Sequence, residues 1–230
     1  MGLRVAEVYS SVQGEGRLTG TPSVFIRTSG CNLRCGFCDT RFASWEPEGD
    51  DWPVERLLDW VRDAGESHVV VTGGEPLLFP EMVEFSRGLA DLGRHITFET
   101  AGTLYLPVAC DLMSISPKLS NSRPTAGISP LAQARHEAAR HQPRVVERLT
   151  SEYDYQLKFV VATPADAREV LDYLSEFPLL NLDRVLLMPE GTECERLQQI
   201  ALWLQPFCSQ HGLRFCPRRH IEWYGNRRGS

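Results

Sequence analysis

Short β-branched runs alternate with amphipathic runs through most of this 230-residue chain. Val24-Phe25-Ile26-Arg27 and Val69-Val70-Val71 read as strands, the second ending at Thr72-Gly73-Gly74. Ile96-Thr97-Phe98, Leu112-Met113-Ser114-Ile115, Leu157–Val161, Arg184–Met188 and Leu213–Cys216 continue the series. Between them, residues 53–64 place Leu57, Leu58 and Val61 on one helical face, with Pro53 in the first turn. The run after Pro80 aligns Met82, Phe85, Leu89 and Leu92 and stops at Gly93. Thr163 caps a helix that has Pro164 at its first position, and Thr192-Glu193-Cys194-Glu195 reads as a capping box. This alternation predicts an α/β fold, a mostly parallel sheet with helices outside it. Periodicity leaves open whether the sheet stays flat or curls into a barrel. Residues 1–230 read as one domain, with a C-terminal tail over 218–230. One stretch, 119–150, breaks the alternation: it holds five arginines against two glutamates, plus His136 and His141. A helix is expected around 130–140, within either a solvated excursion, a mobile lid or a docking surface for an acidic partner.

Three of the seven cysteines, Cys31, Cys35 and Cys38, fall within eight residues directly after the first of these strands. Thiolates are soft ligands, and three in one loop suit iron–sulfur or zinc. Cys110, Cys208 and Cys216 are instead scattered singly in apolar runs. An odd cysteine count and the lack of a signal-peptide core point to a cytoplasmic protein with free thiols, where disulfides are rare. No apolar run approaches the roughly 18 residues that span a bilayer. The formal net charge of −6 offers no general attraction to nucleic acid or acidic membranes. A closed metal site wants a fourth protein ligand. Cys110, Cys194, His68 or His95 would have to supply it, or the fourth position stays open for chemistry; the open position is the better inference.

Cys-x3-Cys-x2-Cys, with Phe37 before the last cysteine, resembles the signature of the radical S-adenosylmethionine (SAM) superfamily. Thr72-Gly73-Gly74-Glu75-Pro76 resembles that superfamily's glycine-rich motif. Val12-Gln13-Gly14-Glu15-Gly16, Phe25-Ile26-Arg27, Cys38-Asp39-Thr40, Glu99-Thr100-Ala101-Gly102, Ser116-Pro117-Lys118 and Leu157-Lys158 are together similar to the 7-carboxy-7-deazaguanine synthase family. The likeness runs from about residue 7 to 118 and resumes at 156–191. It implies an incomplete, TIM-like (βα) barrel, a 4Fe–4S cluster on Cys31, Cys35 and Cys38, S-adenosylmethionine on the fourth iron, and Mg2+.

What the resemblance implies for single residues follows the matched motifs. Val12, Gln13, Gly14, Arg27, Thr72 and Glu99 would contact the family's substrate, 6-carboxy-5,6,7,8-tetrahydropterin. Arg27 would grip its carboxylate and Glu99 the guanidine-like edge of its ring. Phe37, Cys38, Asp39, Gly74, Glu75, Ser116, Pro117, Lys118 and the Met188-Pro189-Glu190-Gly191 loop would face the cofactor. Thr40 matches the magnesium contact, which a single hydroxyl makes only with help from substrate and water. The implied reaction is radical hydrogen abstraction at C6 of the pterin, ring contraction and loss of ammonia, a step in queuosine biosynthesis. A flavodoxin or ferredoxin would supply the electron, and the enzyme would be a homodimer. The tail departs from the family pattern. In it, Trp223 and Tyr224 are candidates to stack on the ring or to pack the tail down, and Arg218, Arg219, Arg227 and Arg228 form a candidate basic patch. Two rivals stay open: an activase that places a radical on a partner protein, and a non-catalytic zinc or iron–sulfur interaction module.

Overall fold

The computed structural model describes residues 2–124 and 128–229. Met1, Ser230 at the tip of the expected tail, and residues 125–127 of the expected excursion lie outside the described residues. One sheet holds nine strands: β1 Gly2–Val12, β2 Pro22–Thr28, β3 Asp50–Pro53, β4 His68–Gly73, β5 His95–Thr100, β6 Leu112–Ile115, β7 Tyr155–Val161, β8 Val185–Pro189 and β9 Arg214–Phe215. Their order is β3-β1-β2-β4-β5-β6-β7-β8-β9. From β2 onward all neighbours are parallel, whereas β1 runs antiparallel to both β2 and β3. The sheet does not close, since β3 and β9 are its edges. It is the incomplete, mostly parallel barrel that the sequence implied.

The helices are α1 Arg41–Ser44, α2 Val54–Ala64, α3 Met82–Asp91, α4 Pro130–Arg140, α5 Pro143–Glu152, α6 Pro164–Ser175, α7 Cys194–Gln210 and α8 Arg219–Tyr224. Alternate strand residues, Val69 and Val71, Ile96 and Phe98, Met113 and Ile115, Leu157, Phe159 and Val161, pack under helical side chains such as Leu57, Phe85, Leu89, Leu149, Val170 and Leu204. Burial of each such side chain contributes roughly 1.5–3 kcal/mol relative to exposure, and this continuous outer layer holds the sheet in its curve.

Thr163 caps α6 as the sequence predicts: its hydroxyl accepts from the Asp166 amide at 3.3 Å while the Asp166 carboxylate accepts from the Thr163 amide at 2.9 Å. The second predicted capping box does not form. Glu193, not Thr192, precedes α7, and no side chain caps that helix. Among its described residues the 119–150 segment contains two α-helices where one was expected, because Pro143 opens α5 directly after α4 ends. Two strands, β1 and β3, lie outside the predicted series. In β1 the apolar alternation of Leu3 and Val5 is interrupted by an irregularity in register between Val5 and Glu7. Asp50-Asp51-Trp52-Pro53 forms β3, a short charged edge that pairs only with β1, a place where proline is tolerated.

Candidate active site

The strand residues that do not face the helices line the concave side, and many are polar. Thr72 on β4, Glu99 on β5, Ser114 on β6 and Lys158 on β7 all border one cavity of about 460 Å³ at the carboxyl ends of the parallel strands. That end of a βα barrel is where strand ends and following loops converge. The polar members satisfy one another: Gln156 Nε2 donates to Ser114 Oγ at 2.8 Å, and Thr72 Oγ1 to Glu99 Oε2 at 2.8 Å.

One end of the cavity is thiol-rich. Cys31, Cys35 and Cys38 line it together with Leu33 and Phe37. Burial pushes the Cys31 thiol up to about 12 and the Cys35 thiol up to about 11, so ionisation there awaits a bound metal's positive charge. Backbone contacts hold the loop in place: Gly30 N donates to Ala43 O at 2.8 Å, Glu75 N to Gly30 O at 2.8 Å, and the Trp45 indole to Cys35 O at 3.1 Å. Gly74 is obligatory here, because a Cβ would sit 2.0 Å from Gly30 O and 2.6 Å from Ala43 O. Among the described residues no three His, Cys, Asp or Glu side chains converge on one ion. A cubane cluster spreads its thiolates over different irons, so three sulfurs on one cavity rim suit it. The alternative fourth ligands lie elsewhere. His68 and His95 begin β4 and β5 at the opposite end of the sheet, and Cys110 packs against Ile96 O there. Cys194 is exposed at the start of α7, with its sulfur 3.8 Å from Ile221 O.

The other end is charged. Lys158 Nζ, its side chain 5% exposed, donates to Glu15 at 2.6 Å and to Glu99 at 3.1 Å. Arg218 donates to Glu15 at 3.0 Å, to Asp39 at 2.5 Å and to Gly191 O at 2.7 Å. Burial opposes the Glu15 charge, but Lys158 and Arg218 outweigh it and hold the carboxyl well below the usual carboxylate range. Burial likewise works against the Lys158 ammonium, and Glu15 and Glu99 raise its pKa regardless. Arg27 donates through Nε to Glu7 at 2.6 Å and through Nη2 to Tyr9 Oη at 3.0 Å. Nearer the thiols, Lys118 Nζ, whose charge acts on Cys35, is anchored by the Ser116 carbonyl at 2.8 Å and hydroxyl at 2.7 Å.

Most residues singled out in the sequence therefore meet around one cavity: Val12, Gln13, Gly14, Arg27, the three cysteines, Phe37, Asp39, Thr40, Thr72, Gly74, Glu99, Ser116, Lys118, Met188, Glu190 and Gly191 all line it. Glu75, Pro117 and Pro189 do not. The Glu75 carboxylate is fully buried and accepts from Leu77 N, Ala101 N and Thr100 Oγ1, which leaves it holding two strand ends together rather than facing a ligand's amine. The tail also differs from expectation. Trp223 and Tyr224 are exposed, set edge to face against each other and absent from the lining. Arg218 is buried and doubly paired, Arg219 bonds Glu222, and Arg228 bonds Glu7 and Glu48, so these arginines are spent inside the chain rather than gathered into a basic patch. Glu15, Arg218 and His220, by contrast, line the cavity without having been picked out as site residues. Only the period-two recurrence of polar residues in apolar strands, as in Gln156 and Lys158, signalled such an interior.

Three thiols on the rim of a partial βα barrel, beside a glycine that admits no side chain, define a radical SAM enzyme, and the model for the radical SAM superfamily matches residues 25–118. A 7-carboxy-7-deazaguanine synthase from Rhodopirellula baltica is 44% identical over 229 residues, covering 99% of this chain and 89% of that protein. One from Halobacterium salinarum is 43% identical, covering 95% and 89%. The crystal structure of QueE from Escherichia coli superposes with a TM-score of 0.70 at 24% identity over 96% of this chain and 95% of that one, which shows the shared fold. The chain belongs to the 7-carboxy-7-deazaguanine synthase family. It is a lyase of the radical SAM type, whose cofactors are a 4Fe–4S cluster and S-adenosylmethionine.

Proposed function

We propose that the chain, acting as one domain, converts 6-carboxy-5,6,7,8-tetrahydropterin to 7-carboxy-7-deazaguanine with loss of ammonia. The observation that carries this reading is the two-ended cavity, with soft sulfur ligands at one end and Arg27, Lys158 and Arg218 among carboxylates at the other. Cys31, Cys35 and Cys38 would hold the cluster, which with bound S-adenosylmethionine would supply the radical chemistry. The protein's own part is to bind, orient and exclude water. Arg27 has donors beyond those given to Glu7 and Tyr9, and its planar fork suits the substrate carboxylate. Glu99 accepts from the guanidine-like edge, steadied by Thr72 and Lys158. Val12, Gln13 and Gly14 close over the ring, with the Gln13 amide fixed on Ser23 Oγ at 2.9 Å. Phe37, Asp39, Gly74, Ser116, Lys118 and the Met188–Gly191 loop border the cofactor.

Thr40, whose hydroxyl lies 3.8 Å from Cys38 Sγ, contributes one oxygen to Mg2+ that arrives with substrate. A titration showing tight Mg2+ binding to substrate-free protein contradicts that assignment. The reading also includes a homodimer, checked by sedimentation, and a flavodoxin or ferredoxin donor, checked by replacing dithionite with the purified carrier. The reading also places the protein in the reducing cytoplasm, where its seven unpaired cysteines would stay thiols. The deciding experiment is anaerobic: reconstitute with iron and sulfide, reduce, add S-adenosylmethionine and the carboxytetrahydropterin, and assay for the deazaguanine acid. Arg27→Ala keeps the cluster spectrum and loses substrate affinity. A loaded, reduced enzyme that cleaves S-adenosylmethionine but yields no deazaguanine acid overturns the proposal.

A further inference from the structure

The 119–150 segment has no counterpart in the chemistry described so far, yet it grips the cysteine loop at one point. The amides on both sides of Cys35 are donated to it: Arg34 N to His136 Nδ1 at 3.1 Å, and Gly36 N to Ser122 O at 2.9 Å. His136 projects from α4 and is 1% exposed. Its other nitrogen, Nε2, lies 3.1 Å from Ser122 Oγ, and Ser122 Oγ donates to Leu119 O at 2.6 Å. These contacts fix the proton positions. A backbone N–H is always a donor, so Nδ1 carries no hydrogen, and the neutral ring keeps its proton on Nε2 for Ser122. The serine hydroxyl hydrogen is then committed to Leu119 O. Burial lowers the His136 pKa, with Arg140, Arg123 and Lys118 adding to the effect against Glu137, so the ring stays in the form this chain of bonds needs.

Close packing reinforces the contact. A Cβ on Gly36 would come within 3.0 Å of Arg123 O, and Ala139 packs against the group formed by Leu33, Cys35 and Ala101. Cys31 instead follows Gly30, whose backbone bonds Ala43 of α1 and Glu75 after β4, while the Cys38 amide donates to Cys35 O at 3.3 Å and its sulfur lies 3.0 Å from Ser44 Oγ on α1. Cys35 is thus the cysteine whose flanking peptides are both set by the 119–150 segment.

We propose that His136 is a positioning residue for the cluster ligand Cys35, acting through the Arg34 amide, and that residues 119–124 together with α4 serve as a strut for the cysteine loop. The proposal rests on the reading that this loop holds the cluster. Freed from His136, the Arg34 N–H loses its acceptor, and leaving a buried donor unpaired costs about 1–3 kcal/mol. The loop would then open around Cys35 and alter the hydrogen bonding and solvent exposure that set a bound cluster's reduction potential.

Two variants in the full chain separate positioning from mere packing. His136→Asn places an amide oxygen where Nδ1 sits, and His136→Gln places its amide group nearer Nε2. Amide hydrogen exchange of the apoprotein comes first. The Arg34 amide should exchange about tenfold faster in His136→Gln, and within about twofold of wild type in His136→Asn. After anaerobic reconstitution, His136→Gln should lose iron to a chelator about tenfold faster and show a shifted cluster midpoint potential, whereas His136→Asn should match wild type in both. Equal protection of Arg34 in all three proteins overturns the proposal, as does an Asn variant as impaired as the Gln variant. A wild-type protein that takes up no cluster overturns the cysteine-loop reading instead, while the exchange experiment still judges His136.

Discussion

Lys158→Met offers a direct test of how the charged end of the site is built. The substitution keeps the length and apolar stem of the side chain but removes the ammonium that donates to Glu15 at 2.6 Å and Glu99 at 3.1 Å. Removing one partner of a buried pair costs about 3–5 kcal/mol, because it strands the other charge. The lower figure applies here, since Glu15 keeps Arg218 at 3.0 Å and the Glu99 side chain is 34% exposed. For a domain of this length about 3 kcal/mol lowers Tm by about 6–12 °C. Thermal unfolding of the apoprotein, followed by circular dichroism or calorimetry, measures it. The companion variant Glu15→Gln removes the stranded charge, so the double variant Lys158→Met/Glu15→Gln should be at least about 1 kcal/mol more stable than the sum of the two single losses predicts. A Lys158→Met protein melting within about 2 °C of wild type, or strict additivity in the double variant, refutes the reasoning.

Acid sensitivity should follow from the same residues. The folded-state pKa of Glu15 is depressed below its unfolded value of about 4.3, so its stabilisation is complete above that pH and is lost as pH falls towards the folded value. Glu15→Gln should flatten the fall of Tm below about pH 5, and an unchanged acid limb would count against the pairing. Cys38→Ala should abolish iron uptake, whereas Cys110→Ser and Cys194→Ser should retain full cluster loading, measured as iron and sulfide per chain. Loss of cluster from either serine variant would restore a distant fourth ligand. Gly74→Ala drives a methyl to 2.0 Å from Gly30 O and should prevent cluster assembly while leaving a folded, helical protein by circular dichroism. Normal loading in that variant would show the loop free to move away.

The outer layer of the barrel was legible because its rule is local. Val69, Val71, Ile96 and Phe98 announce strands by their own chemistry, and Leu57, Val61, Phe85 and Leu89 announce the helices that cover them. The cysteine loop was legible for the same reason, being three thiols in eight residues. The charged end was not, because its members are far apart in the chain. Lys158 meets Glu15 across 143 positions and Arg218 meets the same carboxylate across 203. No window of sequence contains such a pair, and each arginine of the tail reads alone as surface charge. The Thr192 capping box failed differently. The pattern was present, but the chain enters α7 one residue later, at Glu193, so the hydroxyl never reaches the first-turn amides. The burial of Glu75 was not legible because its motif specifies a carboxylate without saying whether it points to the cavity or beneath it.

The tail's position follows from what an unclosed barrel lacks. A sheet that ends at β3 and β9 leaves its mouth without strands on one side, and water entering there would screen every charge in the site. Arg218 answers this by joining three strand-end loops at once: Glu15 after β1, Asp39 beyond the last cysteine, and the Gly191 carbonyl after β8. Arg219 N then donates to Gly14 O at 2.9 Å, which seats α8 over the residues proposed to cover the substrate ring. Further out, Arg228 lies over the Phe42 ring at 4.0 Å and bonds Glu7, the carboxylate that also holds Arg27. Such half-exposed pairs contribute little stability alone. Their arrangement nonetheless couples Arg228 to the arginine proposed to bind the substrate, so the tail buttresses the proposed site through Arg218, Arg219 and Arg228 while Trp223 and Tyr224 stay at the surface.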